Sequence, residues 1–217
     1  MTKGLLLKHI EEVKNCNKCP LMHKPVISCG PVLSKVVLVG QAPGIKEPLL
    51  QRPFAWTAGK TLFSWFQDYT DLGEEAFRES VYMTAVCRCY PGKNPKGGDR
   101  VPNQTEINNC KTWMDKDFEI LQPDLIIAVG KLAIQQFLSF DKLVEVVGQT
   151  FKSEWGACKF DVIPLPHPSG VSTWYRMEPG KSLLQKALQQ ISEHSAFPNN
   201  RAFSNNRAKP NNQTNKG

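Results

Sequence analysis

The chain has 217 residues, enough for one domain with a full-sized core and a tight fit for two. Hydrophobic residues make up 41% and charged residues 22%, which excludes a disordered chain, and no apolar run approaches the roughly 18 residues of a membrane-spanning helix. The net charge is +7, of which the acid-free segment from Ala196 onward contributes Arg201, Arg207, Lys209 and Lys216, leaving +3 on the body, a balance that suits a polyanionic partner or an ordinary soluble surface.

The first eight residues are only briefly apolar and run into charged ones, unlike a signal peptide, so a cytoplasmic protein is expected. From Lys3 to Val13, Leu5, Leu6, His9, Ile10 and Val13 fall near helical spacing, and this helix runs directly into Cys16-Asn17-Lys18-Cys19. Val36-Val37-Leu38-Val39 is an unbroken aliphatic run closed by Gly40, the pattern of a parallel strand buried on both faces. A turn, Gly40-Gln41-Ala42-Pro43-Gly44, ends it. Thr57 to Tyr69 reads as a helix with Leu62, Phe63, Trp65 and Phe66 on its buried side, and Val81 to Val86 as the next strand. Asn103 and Glu106 form an approximate capping box for a helix from Gln104 to Leu121. Asp124 to Val129, closed by Gly130, repeats the strand pattern, and Lys131 to Leu138 repeats the helix. Asp161 to Pro166 reads as a final strand that delivers His167, and Gly180 to Glu193 as a last helix.

Strand and helix alternate throughout, which predicts an α/β fold, doubly wound around a mainly parallel sheet, with ligands beyond the carboxyl ends of the strands. Gly40, Gly130 and His167 would meet there. The expected domain covers residues 1–195. From Ala196 to Gly217 polar residues dominate, so a disordered, basic, Asn-rich tail is expected.

Seven cysteines in a reducing compartment do not read as a disulfide framework. Two residues between Cys16 and Cys19 let both thiolates point at one centre, as in zinc or iron–sulfur sites. A redox pair is the least favoured alternative, because no strand precedes the motif, and chance occurrence stays open. Cys87, Cys89 and Cys110 lie between a strand end and a helix, whereas Cys29 and Cys158 stand alone.

Taken together, Cys16-x-x-Cys19-Pro20-Leu21, Gly40-Gln41-Ala42-Pro43-Gly44, Arg52-Pro53-Phe54, Ala58-Gly59, Cys89, Cys110 and His167-Pro168-Ser169 resemble, in order and spacing, the iron–sulfur uracil-DNA glycosylases, families 4 and 5 of their superfamily. The resemblance spans about residues 8 to 192. It implies a single-domain three-layer sandwich and removal of uracil, or another deaminated or damaged base, from DNA in base-excision repair. It also implies that Cys16, Cys19, Cys89 and Cys110 ligate a [4Fe–4S] cluster of structural role, leaving Cys29, Cys87 and Cys158 free. A monomer is the default for an enzyme that surrounds one flipped nucleotide.

Such an enzyme extrudes the nucleotide and reads its edge. Breaking the bond from C1′ to the base develops positive charge on the sugar and negative charge on the base, so a donor and a positioned water are needed. The resemblance assigns the donor to His167 and water positioning to Gln41. Phe54 would stack on the base, Ala85 would line its edge, and the amides of Gly40, Ala42, Pro43-Gly44 and the Ser169 hydroxyl would hold the base edge or a phosphate. Arg52, Lys60 and Arg176 are the phosphate-contact candidates. The chain departs from the families at four places. Gln41 stands where family 4 has a carboxylate, Ala85 where it has an asparagine, Thr57 where family 5 has an aspartate, and Trp56 where a glycine is usual. A catalytically weak or inactive damage-binding protein of the same fold is therefore the alternative.

Overall fold

Strands β1 (Val36–Gly40) and β3 (Leu125–Val129) are buried at every position, because helices cover both of their faces. With β2 (Tyr82–Ala85), β4 (Phe151–Trp155) and β5 (Cys158–Leu165) they form, among the described residues, a five-stranded sheet in the order β2-β1-β3-β5-β4. All neighbours are parallel except β4, which runs antiparallel to β5 along one edge. The structure, a computed structural model, describes residues 3–95, 97–170 and 172–198.

Side-chain alternation along each strand divides the core in two. Val36 and Leu38 pack with Leu62 and Phe66 of α3 (Thr57–Thr70), Phe77 of α4 (Glu74–Ser80) and Leu184, Leu188 and Ile191 of α7 (Gly180–Glu193). Val37 and Val39 point the other way, onto Leu6 and Ile10 of α1 (Lys3–Lys14), Met114 and Phe118 of α5 (Gln104–Leu121), and Ala133 and Ile134 of α6 (Lys131–Ile134). The result is the expected three-layer α/β sandwich. The capping box is present in full: Glu106 N–H donates to the Asn103 side chain at 3.0 Å, and Asn103 N–H donates to the Glu106 carboxylate at 2.9 Å.

Chain order places the site. From β1 the chain crosses to β2 on one side and then returns through α5 to β3 on the other. Connections leaving the carboxyl ends of β1 and β3 therefore diverge, the topological position at which open α/β sheets bind their ligands.

Several expectations are corrected. The helix read from Lys131 to Leu138 stops at Ile134, and Gln136 and Phe137 continue as turns with bonds to the carbonyls of Ala133 and Ile134. The last strand starts earlier, at Cys158, and forms a hairpin with β4, whose half-exposed Phe-Lys-Ser-Glu-Trp alternation carries a weak apolar signal. Helix α4 buries Phe77 alone, too little for periodicity to show. The body also extends past the expected boundary at residue 195: Phe197 is 3% exposed and stacks 6.1 Å from Phe66. The remainder of the expected tail, 199–217, lies outside the described residues.

Inside the α1/α5 layer sits a polar hub. The Asp117 carboxylate, 0% exposed, is paired with Arg88, lies 2.9 Å from His9 Nε2, and accepts hydrogen bonds from Tyr82 O–H at 2.7 Å and Thr84 O–H at 3.2 Å. Burial opposes its charge, but the Arg88 guanidinium and the bonds from His9 and Tyr82 prevail and hold the carboxyl below its ordinary range. Arg88 also donates to the Ala85 carbonyl at 3.1 Å, so the hub anchors the end of β2 and the segment that leads to Cys89. No helix among the described residues is long and apolar enough to cross a membrane.

Candidate active site

At the end of β1 the Gly40 turn is fastened to the end of β2. Gly40 pairs with Ala85, and Val86 and Cys87 donate their amides to the Gly40 and Gln41 carbonyls at 2.9 and 3.0 Å. Glycine is needed here because the Phe54 ring lies directly over it: a Cβ on Gly40 would stand 2.9 Å from Phe54 Cζ. Gly59, in the first turn of α3, is needed for the same reason, since its Cβ would fall 1.7 Å from the Phe54 carbonyl oxygen.

Phe54 itself adopts φ 51°, a left-handed conformation that a bulky residue keeps only when its surroundings impose it. Arg78 imposes it. Its guanidinium donates to the Pro53 and Phe54 carbonyls at 2.9 and 3.0 Å, is held by Glu74 at 2.9 Å, and lies 4.6 Å over the Phe63 ring. From the other side, Glu47, in the short helix α2 (Glu47–Leu50), accepts the Gly44 amide and the amides of Phe54 and Ala55. One carboxylate thus ties the Gln41 turn to the Phe54 turn, although burial pushes its pKa up. The Gly44 amide is accordingly already engaged.

One strand over, β3 ends at Gly130, whose φ is +87°, and whose Cβ would stand 3.2 Å from Cδ2 of His167. The imidazole therefore lies against the carboxyl end of β3, the strand that neighbours β1 in the sheet. The Ser169 amide donates to His167 Nδ1 at 3.2 Å. A nitrogen that accepts an N–H bears a lone pair, so the proton of the neutral ring sits on Nε2. Burial lowers the His167 pKa, partly offset by the charge of Asp99, and the ring stays neutral with Nε2–H as a donor.

Asp99 comes from the loop between β2 and α5. Tyr90 O–H donates to its Oδ1 at 3.1 Å, and its Oδ2 would lie 3.3 Å from a Cβ on Gly44. The Gln41 side-chain amide makes no hydrogen bond within the described residues, and so is available to a water or ligand. The structure thus gathers Gly40, Gln41, Ala42, Pro43, Gly44, Phe54 and Ala85 around one strand end and sets His167 and Ser169 at the next. It supports neutral-donor hydrogen bonding to a developing anion and aromatic stacking beside it.

The basic candidates lie outside this group. Arg52 is exposed and bridges Glu74 and Glu75 at 3.3 and 3.5 Å, Lys60 is exposed on α3, and exposed Arg176 donates to the Tyr175 hydroxyl at 3.3 and 3.2 Å. Trp56 is 49% exposed, with Lys46 5.7 Å over its ring. Sequence reasoning missed Glu47, Arg78, Asp99 and Asp117; the partners of Arg78 and Asp117 lie far along the chain, and those of Glu47 and Asp99 are met only through the folding of their own loops.

The thiols gather elsewhere. Cys16, Cys19, Cys87, Cys89 and Cys110 share one small core with Val13, Met22 and Val26. Trp113 Nε1–H points at Cys16 Sγ at 3.3 Å, and the Asn109 amide at Cys19 Sγ at 3.6 Å. The neighbouring Cys87 thiol holds the Cys110 thiol below its ordinary range, while burial pushes Cys89 up to about 12. Cys29 is likewise pushed up to about 12 by burial, and Cys158 donates to the Phe118 carbonyl at 3.5 Å, both away from this group. Among the described residues no three His, Cys, Asp or Glu side chains stand close enough to hold a single ion.

Comparison with known proteins gives a consistent result. A family model described as the uracil DNA glycosylase superfamily matches residues 27–192. The type-4 uracil-DNA glycosylase of Archaeoglobus fulgidus is 33% identical over 172 residues, covering 75% of this chain and 80% of that protein. That of Thermotoga maritima is 33% identical over 164 residues, covering 73% and 79%. A type-5 uracil-DNA glycosylase of Pyrobaculum aerophilum is 34% identical over 53 residues, or 24% of this chain and 21% of its own length.

Proposed function

Because this chain belongs to the uracil DNA glycosylase superfamily, we propose that it is a monofunctional DNA glycosylase that hydrolyses the bond between C1′ and uracil in base-excision repair. The observation that carries the reading is the Ser169 amide on His167 Nδ1, which leaves Nε2–H as a neutral donor at the strand ends. The extruded uracil stacks on Phe54 beside Gly40 and Ala85. As the glycosidic bond breaks, its electron pair passes into the uracil ring, and His167 Nε2–H stabilises the oxygen on which that charge collects. Gln41 orients the water that adds to C1′. Arg52, Lys60 and Arg176 contact phosphates, and the Arg52 bridge to Glu74 and Glu75 opens on binding.

Cys16, Cys19, Cys89 and Cys110 would hold a [4Fe–4S] cluster. The residues fit it: four soft thiols, an apolar jacket, and N–H groups from Trp113 and Asn109 aimed at two of the sulfurs. Cys87, buried in the same small core, is left free in this assignment. The cluster supplies structural bracing of the loop beyond Cys89, with no part in cutting the bond. The protein acts as a cytoplasmic monomer on this reading.

A second reading, a damage-binding protein without catalysis, is favoured by Gln41 and Thr57, neither of which accepts a proton at neutral pH. Incubation with oligonucleotides carrying uracil, hypoxanthine or ethenocytosine separates the two. Abasic sites are expected with uracil; binding without release from any substrate would establish the second reading instead.

A further inference from the structure

Hydrolysis needs an acceptor for the proton of the attacking water, and no group assigned so far provides one. Gln41 is an amide. On His167, Nδ1 is occupied by the Ser169 amide and Nε2 carries the proton directed at the leaving base. The Glu47 carboxylate is committed to the amides of Gly44, Phe54 and Ala55. Asp99 is different. Its Oδ1 accepts the Tyr90 hydroxyl, while its Oδ2, beside Gly44 and three residues from Gln41, accepts no hydrogen bond from a described residue. Among the described residues it is also the charged group whose field reaches the His167 imidazole.

Resting on the glycosylase reading above, we propose that Asp99 is the general base of the reaction, acting on a water held by Gln41. The water oxygen bonds to C1′ while one of its protons passes to Asp99 Oδ2. The bond from C1′ to N1 breaks, and its electron pair leaves with the uracil ring as an anion bonded to His167 Nε2–H. The products are a sugar hydroxylated at C1′, a uracil anion and a protonated Asp99. Transfer of that proton to the uracil anion, directly or through solvent, restores the carboxylate. The negative charge of Asp99 also opposes the positive charge that the sugar develops.

The test is single-turnover release of uracil from a single-stranded oligonucleotide by the full chain with its cysteine site loaded. Asp99→Asn keeps the size of the side chain and the acceptor for Tyr90, and is expected to slow release about 10²-fold or more, with DNA bound no more weakly and the melting temperature unchanged. In that background Gln41→Glu is expected to restore at least about tenfold, by returning a carboxylate to the same water. An active wild type whose Asp99→Asn variant releases uracil at the wild-type rate overturns the assignment, as does a slowed variant that Gln41→Glu does not quicken. A wild type that releases no base overturns the glycosylase reading itself, and this assignment with it.

Discussion

Phe54 and Gly40 are fitted to each other: the ring occupies the space in which a Cβ would stand, 2.9 Å from Cζ, while Arg78 and Glu47 hold the Phe54 backbone from opposite sides. The stacking face is thus positioned by contacts with the end of β1 and with α4 as well as by its own loop.

Gly40→Ala therefore forces the ring to move. Uracil release is expected to fall about 10²-fold, because a displacement of an ångström in a positioning group has that scale of effect. The melting temperature should change little, since the Phe54 ring is half-buried at the edge of the core rather than inside it. Kinetics and thermal unfolding of the variant check both statements.

The hub at Asp117 governs stability. Asp117→Ala leaves the Arg88 guanidinium buried without its partner, which is expected to cost about 3–5 kcal/mol, measured by urea unfolding. The sign of the pH effect follows from the depressed pKa of Asp117. The contribution is fully present above the unfolded carboxyl value of about 3.9 and is lost as pH falls through the lower folded value. The difference between wild type and variant should shrink over that acid range.

His167 gives a second, separate pH signature. Its folded pKa lies below the unfolded value of about 6.5, so between the two the unfolded chain binds more protons and stability rises with pH. Wild type should lose stability as pH drops below about 6.5, and His167→Asn should lose less. Chemical denaturation at a series of pH values reads the difference directly.

Much of this was legible in the sequence, and the physical reason is locality. The aliphatic runs of β1 and β3 announce strands buried on both faces, and Asn103 with Glu106 announces the start of α5 at the residue where it begins. Gly40 and His167 also sit at the ends of strands, where the strand patterns put them. Asp99, Arg78 and Asp117 were not legible, because a charged residue in a loop or helix reads as surface until its partner is known, and those partners are 24 to 108 positions away for Arg78 and Asp117. Phe197 failed for the opposite reason: one apolar residue in a polar segment gives no period, although its ring fills a gap beside Phe66 and Phe77.

The cysteine assignment makes its own prediction. Cys16→Ala, Cys19→Ala, Cys89→Ala and Cys110→Ala should each lose the broad absorbance near roughly 400 nm of a four-iron cluster, whereas Cys87→Ala and Cys158→Ala should keep it. Iron and sulfide analysis alongside the spectra distinguishes the cluster from zinc, which is colourless.

The most direct test of the account compares single-turnover uracil release at neutral pH by wild type and by His167→Ala. If the Nε2–H donor held in place by Ser169 stabilises the departing base, the variant should be slower by about 10²–10³-fold while still binding DNA. Equal rates for the two proteins would contradict the account.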